Sequence, residues 1–481
     1  MIEAGTFKGK TTAVFGLGRS GITAALSLQK GGAKVLAWDD NEASRKVAED
    51  EGVRVVDLQT ADWKTIDELV LSPGVPHELP KAHWSAQKAK AADVPIICDI
   101  EIFAREVMAR ATERRPNIIA ITGTNGKSTT TSLIGHILSE AGRDAQVGGN
   151  IGRGVLDLES IYAGANYVLE LSSYQLERTF SLKPDAAIFL NLTPDHLDRH
   201  GDMAGYEKAK MRVFDNQTKE DAAIIGVDGP EGKRTCSRLL AANGRRVLPI
   251  SGKRSLGRGV CVIKGKLYSI MDGHCQMIVD LNKAIGLDGQ HNWQNAAAAY
   301  AAVRAIGLKP EAIGQAILTF PGLEHRLENI GKAGPVKYVN DSKATNVDAA
   351  AQALGTYDNI YWIAGGQAKD GGIADLAPHF KNITRAYLIG EAAGDFEATL
   401  KDNKVSAKVS KELHMAIMCA TKDALASRAP NPVVLLSPAC ASFDQFKNFE
   451  IRGDAFRAQV QKIIDIFERE KTNATLNAGA A

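Results

Sequence analysis

The sequence predicts an α/β fold in three domains, and three observations carry that expectation. The chain has 481 residues, which at about 100–200 residues per domain gives about three domains. Short apolar runs alternate with helical patterns in three successive blocks, as expected when sheets are layered with helices. The first two blocks each open on a strand that runs through a glycine-rich turn into a helix. We place the domains at 1–105, 106–322 and 323–481.

In the first block the strand TAVFGLG precedes a helix after Ser20, and AKVLAWDD, VLSPGV and VPIICDIEIF read as further strands. The second block opens with PNIIAITG and a helix from about Lys127, and YVLELSS and AAIFLNL read as buried strands. GVCVIKGKLYSIMDGHCQMIVDL alternates and turns at Asp272-Gly273, which predicts a hairpin region attached to the second domain. QHNWQNAAAAYAAVRAIG predicts a long helix ending at Gly307. In the third block VKYVN, NIYWIAGG, RAYLIG and PVVLLSP are the strands, and the terminal TNATLNAGAA reads as a frayed tail.

Composition narrows the function classes. A formal net charge of +2 supplies no general field toward nucleic acid or an anionic membrane. No apolar run approaches the roughly 18 residues of a membrane helix, and no signal-peptide core precedes the first strand, so a cytoplasmic protein is expected. The six cysteines form no C-x-x-C pair and no metal-ligand spacing, consistent with reduced structural thiols.

The strongest chemical signal is Gly123-Thr124-Asn125-Gly126-Lys127-Ser128-Thr129 after the strand IIAIT. A glycine-rich turn between strand and helix lets backbone N–H groups approach phosphate oxygens, Lys127 can reach the terminal phosphates, and Ser128 offers a hydroxyl to Mg²⁺. In the first domain, Gly16-x-Gly18-x-x-Gly21 follows a strand and encloses Arg19 and Ser20, while Asp39 and Asp40 end the next strand. Alone, that pattern fits a dinucleotide oxidoreductase or merely a tight turn. With an ATP loop in the next domain, a diphosphate handle on the substrate, such as a UDP-sugar, is the more economical reading. Ser72 and Gly74 in Ser72-Pro73-Gly74-Val75 lie at a strand end where they could complete that pocket.

Glu170 sits at the end of an apolar strand, where a carboxylate is costly unless paired or metal-bound. That position suits Mg²⁺, which favours carboxylates, water and phosphates. His196 follows AAIFLNL and falls near the same strand-end crevice. Lys210, in YEKAKMRVF, reads locally as one of several solvated helix lysines.

The segments GTNGKSTT, NLTPDHLDRH, GQHNWQNAAAA, GLEHRLE and NDSKATN resemble the motifs of the Mur ligase family, in that family's order. LELSSYQLE, GGNIG and LLSPACASFDQFKNFEIRGDAF resemble the branch that adds D-glutamate. The resemblance covers nearly the whole chain. It implies an N-terminal Rossmann-like UDP-binding domain, a central P-loop ATPase domain and a C-terminal Rossmann-like domain. It also implies an ATP-dependent ligase of peptidoglycan precursor synthesis that joins D-glutamate to UDP-N-acetylmuramoyl-L-alanine through an acyl phosphate, working as a monomer with two Mg²⁺ ions. Lys127 and Ser128 match phosphate and metal contacts, and Glu170 and His196 match supports of the two ions. Lys210 matches a lysine carbamylated in the family. Asn292 and Asn295 match adenine-side residues, and Arg326 and Asp341 match nucleotide contacts. Lys343, Thr345, Lys369, Ser442, Phe443 and Phe449 match the D-glutamate side, with Phe443 standing where leucine is expected. Asn150 and His196 match contacts to the muramoyl-alanine portion. A relative adding another amino acid, such as L-glutamate, stays open, because pattern does not report stereochemistry. An NAD-dependent oxidoreductase is the alternative from another class, and it leaves the phosphate loop unexplained.

Overall fold

The computed structural model describes residues 1–284, 286–287, 289–368 and 371–478. Its strands form three sheets, one in each of the three sequence blocks. The first is parallel, with β1 Thr11–Phe15, β2 Lys34–Trp38, β3 Glu68–Leu71 and β4 Ile96–Ile97 in the order β2-β1-β3-β4. VPIICDIEIF is therefore strand only at Ile96–Ile97. From Asp99 to Met108 it is helical, because Asp99 and Glu101 occupy a first helical turn whose N–H groups favour acidic side chains.

The second sheet holds β5 Asn117–Thr122, β6 Asp144–Gly149, β7 Ala165–Glu170, β8 Ala186–Phe189, β9 Ala222–Gly226, β10 Arg246–Ser251, β11 Gly259–Ile263, β12 Lys266–Ile270 and β13 Gln276–Asp280. Their order is β13-β12-β11-β10-β9-β8-β5-β7-β6. From β6 to β11 the neighbours are parallel. The expected hairpin is β12 and β13, which with β11 form an antiparallel edge on this sheet. Gly273 at its turn has φ +81°, which glycine tolerates without a Cβ penalty.

β5 is buried along Ile118–Thr122, as a parallel strand covered on both faces should be. The chain leaves β5 for β6 on one side and later returns to β8 on the other. The carboxyl end of β5 is thus a topological switch point, the place where open α/β sheets hold ligands. Helix Lys127–Glu140 leaves that end and packs against helix His291–Ala305, whose alanines keep the two backbones close. One continuous apolar core extends from Ile2 to Val247 and joins the first two sheets.

The third sheet comprises β14 Glu328–Ala333, β15 Val336–Asn340, β16 Ile360–Gly365, β17 Ile383–Ile389, β18 Ala407–Lys411 and β19 Val433–Leu436, in the order β14-β15-β19-β16-β17-β18. Only the β14–β15 pair is antiparallel. The final helix runs Phe449–Ala478, so the tail expected to fray is helical through Ala478. By internal contacts the chain forms two compact units. One comprises Met1–Lys283 with His291–Leu318, and the other comprises Ala284–Gln290 with Thr319–Ala481.

Candidate active site

In the first unit, the carboxyl ends of β7, β5 and β8 lie side by side, with Ile121 paired to Glu170 and Thr122 to Phe189. Three loops therefore open on one crevice. After β5, Gly123 (φ +149°) and Gly126 (φ +85°) turn the backbone into helix Lys127–Glu140. A Cβ at Gly126 would lie 2.3 Å from Asn295 Oδ1, so backbone and side chain meet there without room for another atom. Asn295 Nδ2 donates to Asn292 Oδ1 at 3.0 Å, so both predicted asparagines sit together beside the loop. Lys127 Nζ folds back onto the carbonyls of Gly123 (3.0 Å) and Thr124 (2.8 Å). Ser128 and Thr129 are nearly buried in the first turn.

A residue that the sequence reading missed fixes this loop from the other side. Asn191 accepts from the Asn125 N–H through Oδ1 (2.8 Å) and donates through Nδ2 to the Asn125 carbonyl (3.0 Å). Thr124 N–H donates to the Asn191 carbonyl. The available signal was a polar residue in the first loop positions after a buried strand that ends at the switch point.

Glu170 is buried at the end of β7. Its Oε1 accepts from Asn150 Nδ2 at 3.0 Å, while Oε2 is buried with no hydrogen-bond partner. Lys210 is 2 % exposed, against the solvated reading of its helix. Its Nζ donates to the Gly123 carbonyl at 2.8 Å and lies 4.6 Å from the Tyr206 ring centroid. Burial, reinforced by the Lys127 ammonium, holds Lys210 well below the ordinary lysine range, despite the opposing pull of Asp195 and Glu170. His196 caps a short turn at φ +52° with its ring exposed. Its Nδ1 is 3.0 Å from the Tyr174 hydroxyl, and its Nε2 is 3.4 Å from Asp195 Oδ2. Among the described residues no cluster of three or more histidine, cysteine or acidic side chains forms a ready-made metal cage. The donors here fit Mg²⁺ better than such a cage does. One carboxylate oxygen lacks a partner beside the Gly123–Thr129 loop and its Ser128 hydroxyl, and Mg²⁺ takes few protein ligands.

The first-sheet glycines form a second crevice in the same unit. Gly16 has φ +90°, and Gly18 precedes helix Arg19–Lys30. Asp39 is committed to the backbone: Oδ2 accepts from the Leu17 N–H at 2.6 Å and Oδ1 from the Asn41 N–H at 2.8 Å. Asp40 accepts from Trp84 Nε1 (3.0 Å) and sits 3.1 Å from His83 Nε2. Arg19 donates to the Gly152 carbonyl at 2.7 Å, which brings the GGNIG segment to this crevice. Ser72 Oγ donates to the Gly16 carbonyl at 2.6 Å, and a Cβ on Gly74 would meet nothing within 4 Å. Ser20 is partly buried.

The second unit groups its own predicted residues at the carboxyl ends of β15 and β19, which are neighbours. Asp341 is buried, with Oδ2 accepting from Ser437 Oγ (2.8 Å) and Oδ1 from the Leu327 N–H (3.1 Å). Burial pushes its carboxyl up to about 7, against the pull of those hydrogen bonds and of Arg326. Lys343 Nζ lies 5.6 Å from the Phe449 ring centroid. Arg452, not singled out from sequence, donates to the Ser342 carbonyl (2.9 Å) and the Cys440 carbonyl (3.1 Å), locking the Asp341–Thr345 loop to the loop bearing Ser442. Phe443 is 69 % exposed, whereas Ser442 is buried. Lys369 lies outside the described residues.

A glycine-rich Gly123–Thr129 turn at the switch point of the parallel part of the central sheet, beside a buried carboxylate and a buried lysine, fits an α/β enzyme of the ATP-using class. Residues 121–303 match the Mur ligase middle domain, and residues 325–440 match the Mur ligase, glutamate ligase domain. The chain belongs to the Mur ligase family. It is 56% identical to a UDP-N-acetylmuramoylalanine–D-glutamate ligase of Caulobacter vibrioides, over 96% of this chain and 97% of that one. With the protein of that name from Phenylobacterium zucineum it shares 52% identity over 97% and 99% of the two chains. A UDP-N-acetylmuramate-alanine ligase structure from Thermotoga maritima shares the fold at 17% identity, with a TM-score of 0.55, covering 94% of this chain and 99% of that one. No described helix is long and apolar enough to cross a membrane.

Proposed function

We propose that the chain adds D-glutamate to UDP-N-acetylmuramoyl-L-alanine at the expense of ATP, in the cytoplasm, as a step of peptidoglycan precursor synthesis. The observation that carries the reading is the convergence on one crevice of the Gly123–Thr129 loop, the unpartnered Glu170 oxygen and the buried Lys210 amine. Relatives of that name, aligned over nearly the full length, supply the substrates.

In this reading the muramoyl-alanine carboxylate attacks the γ-phosphate of the second substrate, ATP, giving an acyl phosphate and ADP. The amine of D-glutamate then attacks the acyl carbon, and phosphate leaves as the amide forms. The protein's part is positioning and electrostatics. Loop N–H groups and Lys127 bind the phosphates, with Asn292 and Asn295 alongside. Gly18, Arg19, Ser20, Asp39, Asp40, Ser72 and Gly74 form the UDP pocket, and Asn150 and His196 face the muramoyl-alanine portion. Lys343, Thr345, Ser442, Phe443 and Phe449 serve the amino acid. Mg²⁺, when bound, supplies positive charge that lets two anions meet, and Ser128, Glu170, His196 and a carbamylated Lys210 would hold it. Uptake of CO₂ needs the unprotonated amine, and burial shifts Lys210 toward that form, so its environment supports carbamylation.

The test is phosphate release with ATP, Mg²⁺ and UDP-N-acetylmuramoyl-L-alanine. Release is expected with D-glutamate and not with L-glutamate; equal release with both overturns the stereochemical assignment. Lys210→Ala should be nearly inactive and partly restored by added short carboxylic acids. Lack of restoration would count against the carbamate alone.

A further inference from the structure

We propose that Arg178 is a positioning residue that holds the UDP pocket in register with the reacting end of the central sheet. The inference rests on the functional reading above and names a determinant of substrate binding within it. Arg178 follows the short helix Ser173–Leu176 and is 1 % exposed. Burying a guanidinium without an acidic partner is costly, so its donors must be used fully. The neighbouring carboxylate of Glu177 is directed elsewhere, 2.8 Å from Arg199 Nη2 and 3.2 Å from His77 Nδ1. Instead, Arg178 Nη1 donates to the carbonyls of Leu71 (2.8 Å) and Ser72 (3.3 Å), and Nη2 to that of Pro73 (3.1 Å). Its Nε and Nη2 also reach the Tyr174 carbonyl, at 3.2 and 3.1 Å.

Those three consecutive carbonyls are the exit of β3, and they position the side chain that touches the diphosphate turn. Ser72 Oγ donates to the Gly16 carbonyl at 2.6 Å, and a Cβ on Gly16 would lie 2.7 Å from Ser72 Cβ. A small shift of Ser72 is therefore felt at the Gly16–Gly21 turn. At its other end, Arg178 holds the backbone of Tyr174, whose hydroxyl meets His196 Nδ1 at 3.0 Å. Arg199 repeats the arrangement one residue group further on. It donates to the Val75 carbonyl at 3.1 Å and lies over the Tyr174 ring at 4.9 Å. Two arginines from the two segments that follow β7 and β8 thus grip one loop of the UDP pocket. A planar five-donor fork can span several carbonyls in a way that a lysine ammonium cannot.

The experiment is calorimetric binding of UDP and, separately, of a non-hydrolysable ATP analogue to the wild-type chain, Arg178→Lys, Ser72→Ala and the double variant. Arg178→Lys should weaken UDP binding about tenfold, the scale of a lost charge-assisted hydrogen bond, and leave ATP-analogue binding unchanged. The double variant should bind UDP no worse than Arg178→Lys, because both changes act through the same contact. In turnover, KM for the UDP substrate should rise more than kcat falls. If Arg178→Lys does not fold, Arg199→Lys carries the test, with a loss of about threefold confined to UDP. Unchanged UDP affinity alongside a lowered melting temperature would make Arg178 structural only and overturn the proposal, as would equal weakening of both ligands. A wild-type chain that ignores UDP would overturn the functional reading first and this inference with it.

Discussion

Gly126 stands where backbone conformation and packing both forbid a side chain. Its φ of +85° lies in the left-handed region, which costs a residue with a Cβ about 1–2 kcal/mol. The added carbon would also collide with Asn295 Oδ1. Gly126→Ala is therefore expected to lower stability by at least that amount and to abolish ATP binding. Chemical denaturation and nucleotide titration measure the two, and retained affinity would show that the loop is not the phosphate cradle. Asp341 makes a pH prediction. Its buried carboxyl is raised from 3.8 to about 7, so the folded chain keeps a proton that the unfolded chain releases between those values. Stability conferred on the second unit by this group is present at low pH and is lost as pH climbs toward 7. Asp341→Asn keeps an acceptor for the Leu327 N–H, reverses the Ser437 hydrogen bond so that the amide donates to the hydroxyl, and removes the titration. The melting temperature of wild type relative to this variant should fall over that range; a flat difference would sink the assignment. Lys127 was legible in the sequence because a lysine directly after a glycine turn at a helix start is placed by backbone rules alone. Lys210 was not. It is spaced like Lys208 in the same helix, and only the approach of the Gly123 carbonyl, 87 residues away, shows which of the two is buried. Arg178 and Arg452 escaped notice for the same reason, since a guanidinium spent on backbone carbonyls leaves no partner motif in the sequence.

At the scale of elements, periodicity located the strands and helices well wherever a run was long. The Asp272-Gly273 turn, the alanine-rich helix His291–Ala305 and the four third-block strands fall where the pattern put them. The failure at VPIICDIEIF has a physical cause. A fully buried helix and a fully buried strand are both apolar runs, and only the acidic residues in the first turn distinguish them. That helix also binds the first two sheets together. The Glu101 carboxylate accepts from the N–H groups of Phe180 (2.6 Å) and Ser181 (2.8 Å), from Ser181 Oγ (2.7 Å), and from Arg105 Nε (2.9 Å). Glu101→Gln replaces an acceptor with a donor facing donors and is expected to cost about 2–4 kcal/mol. Urea unfolding checks this, and a change smaller than about 0.5 kcal/mol, the usual range for surface substitutions, would show that the junction is held elsewhere.

At the scale of the molecule, three sheets are distributed over two compact units, because the apolar core that begins at Ile2 continues without a break into the central sheet. The three-block pattern of the sequence could not show this. Periodicity reports which face of an element is apolar, not which neighbouring block covers that face. Two units with separate cores predict two calorimetric transitions. Every residue assigned to the UDP pocket lies in the first unit, and none lies in the second. A ligand stabilises only the unit whose folded form binds it, by about 2.7 kcal/mol at a hundred times its Kd. UDP at that concentration should therefore raise the transition that Glu101→Gln lowers and leave the transition that Asp341→Asn alters in place. If UDP moved both transitions equally, the two units would unfold as one. If it moved only the transition sensitive to Asp341→Asn, the UDP pocket would have been placed in the wrong unit.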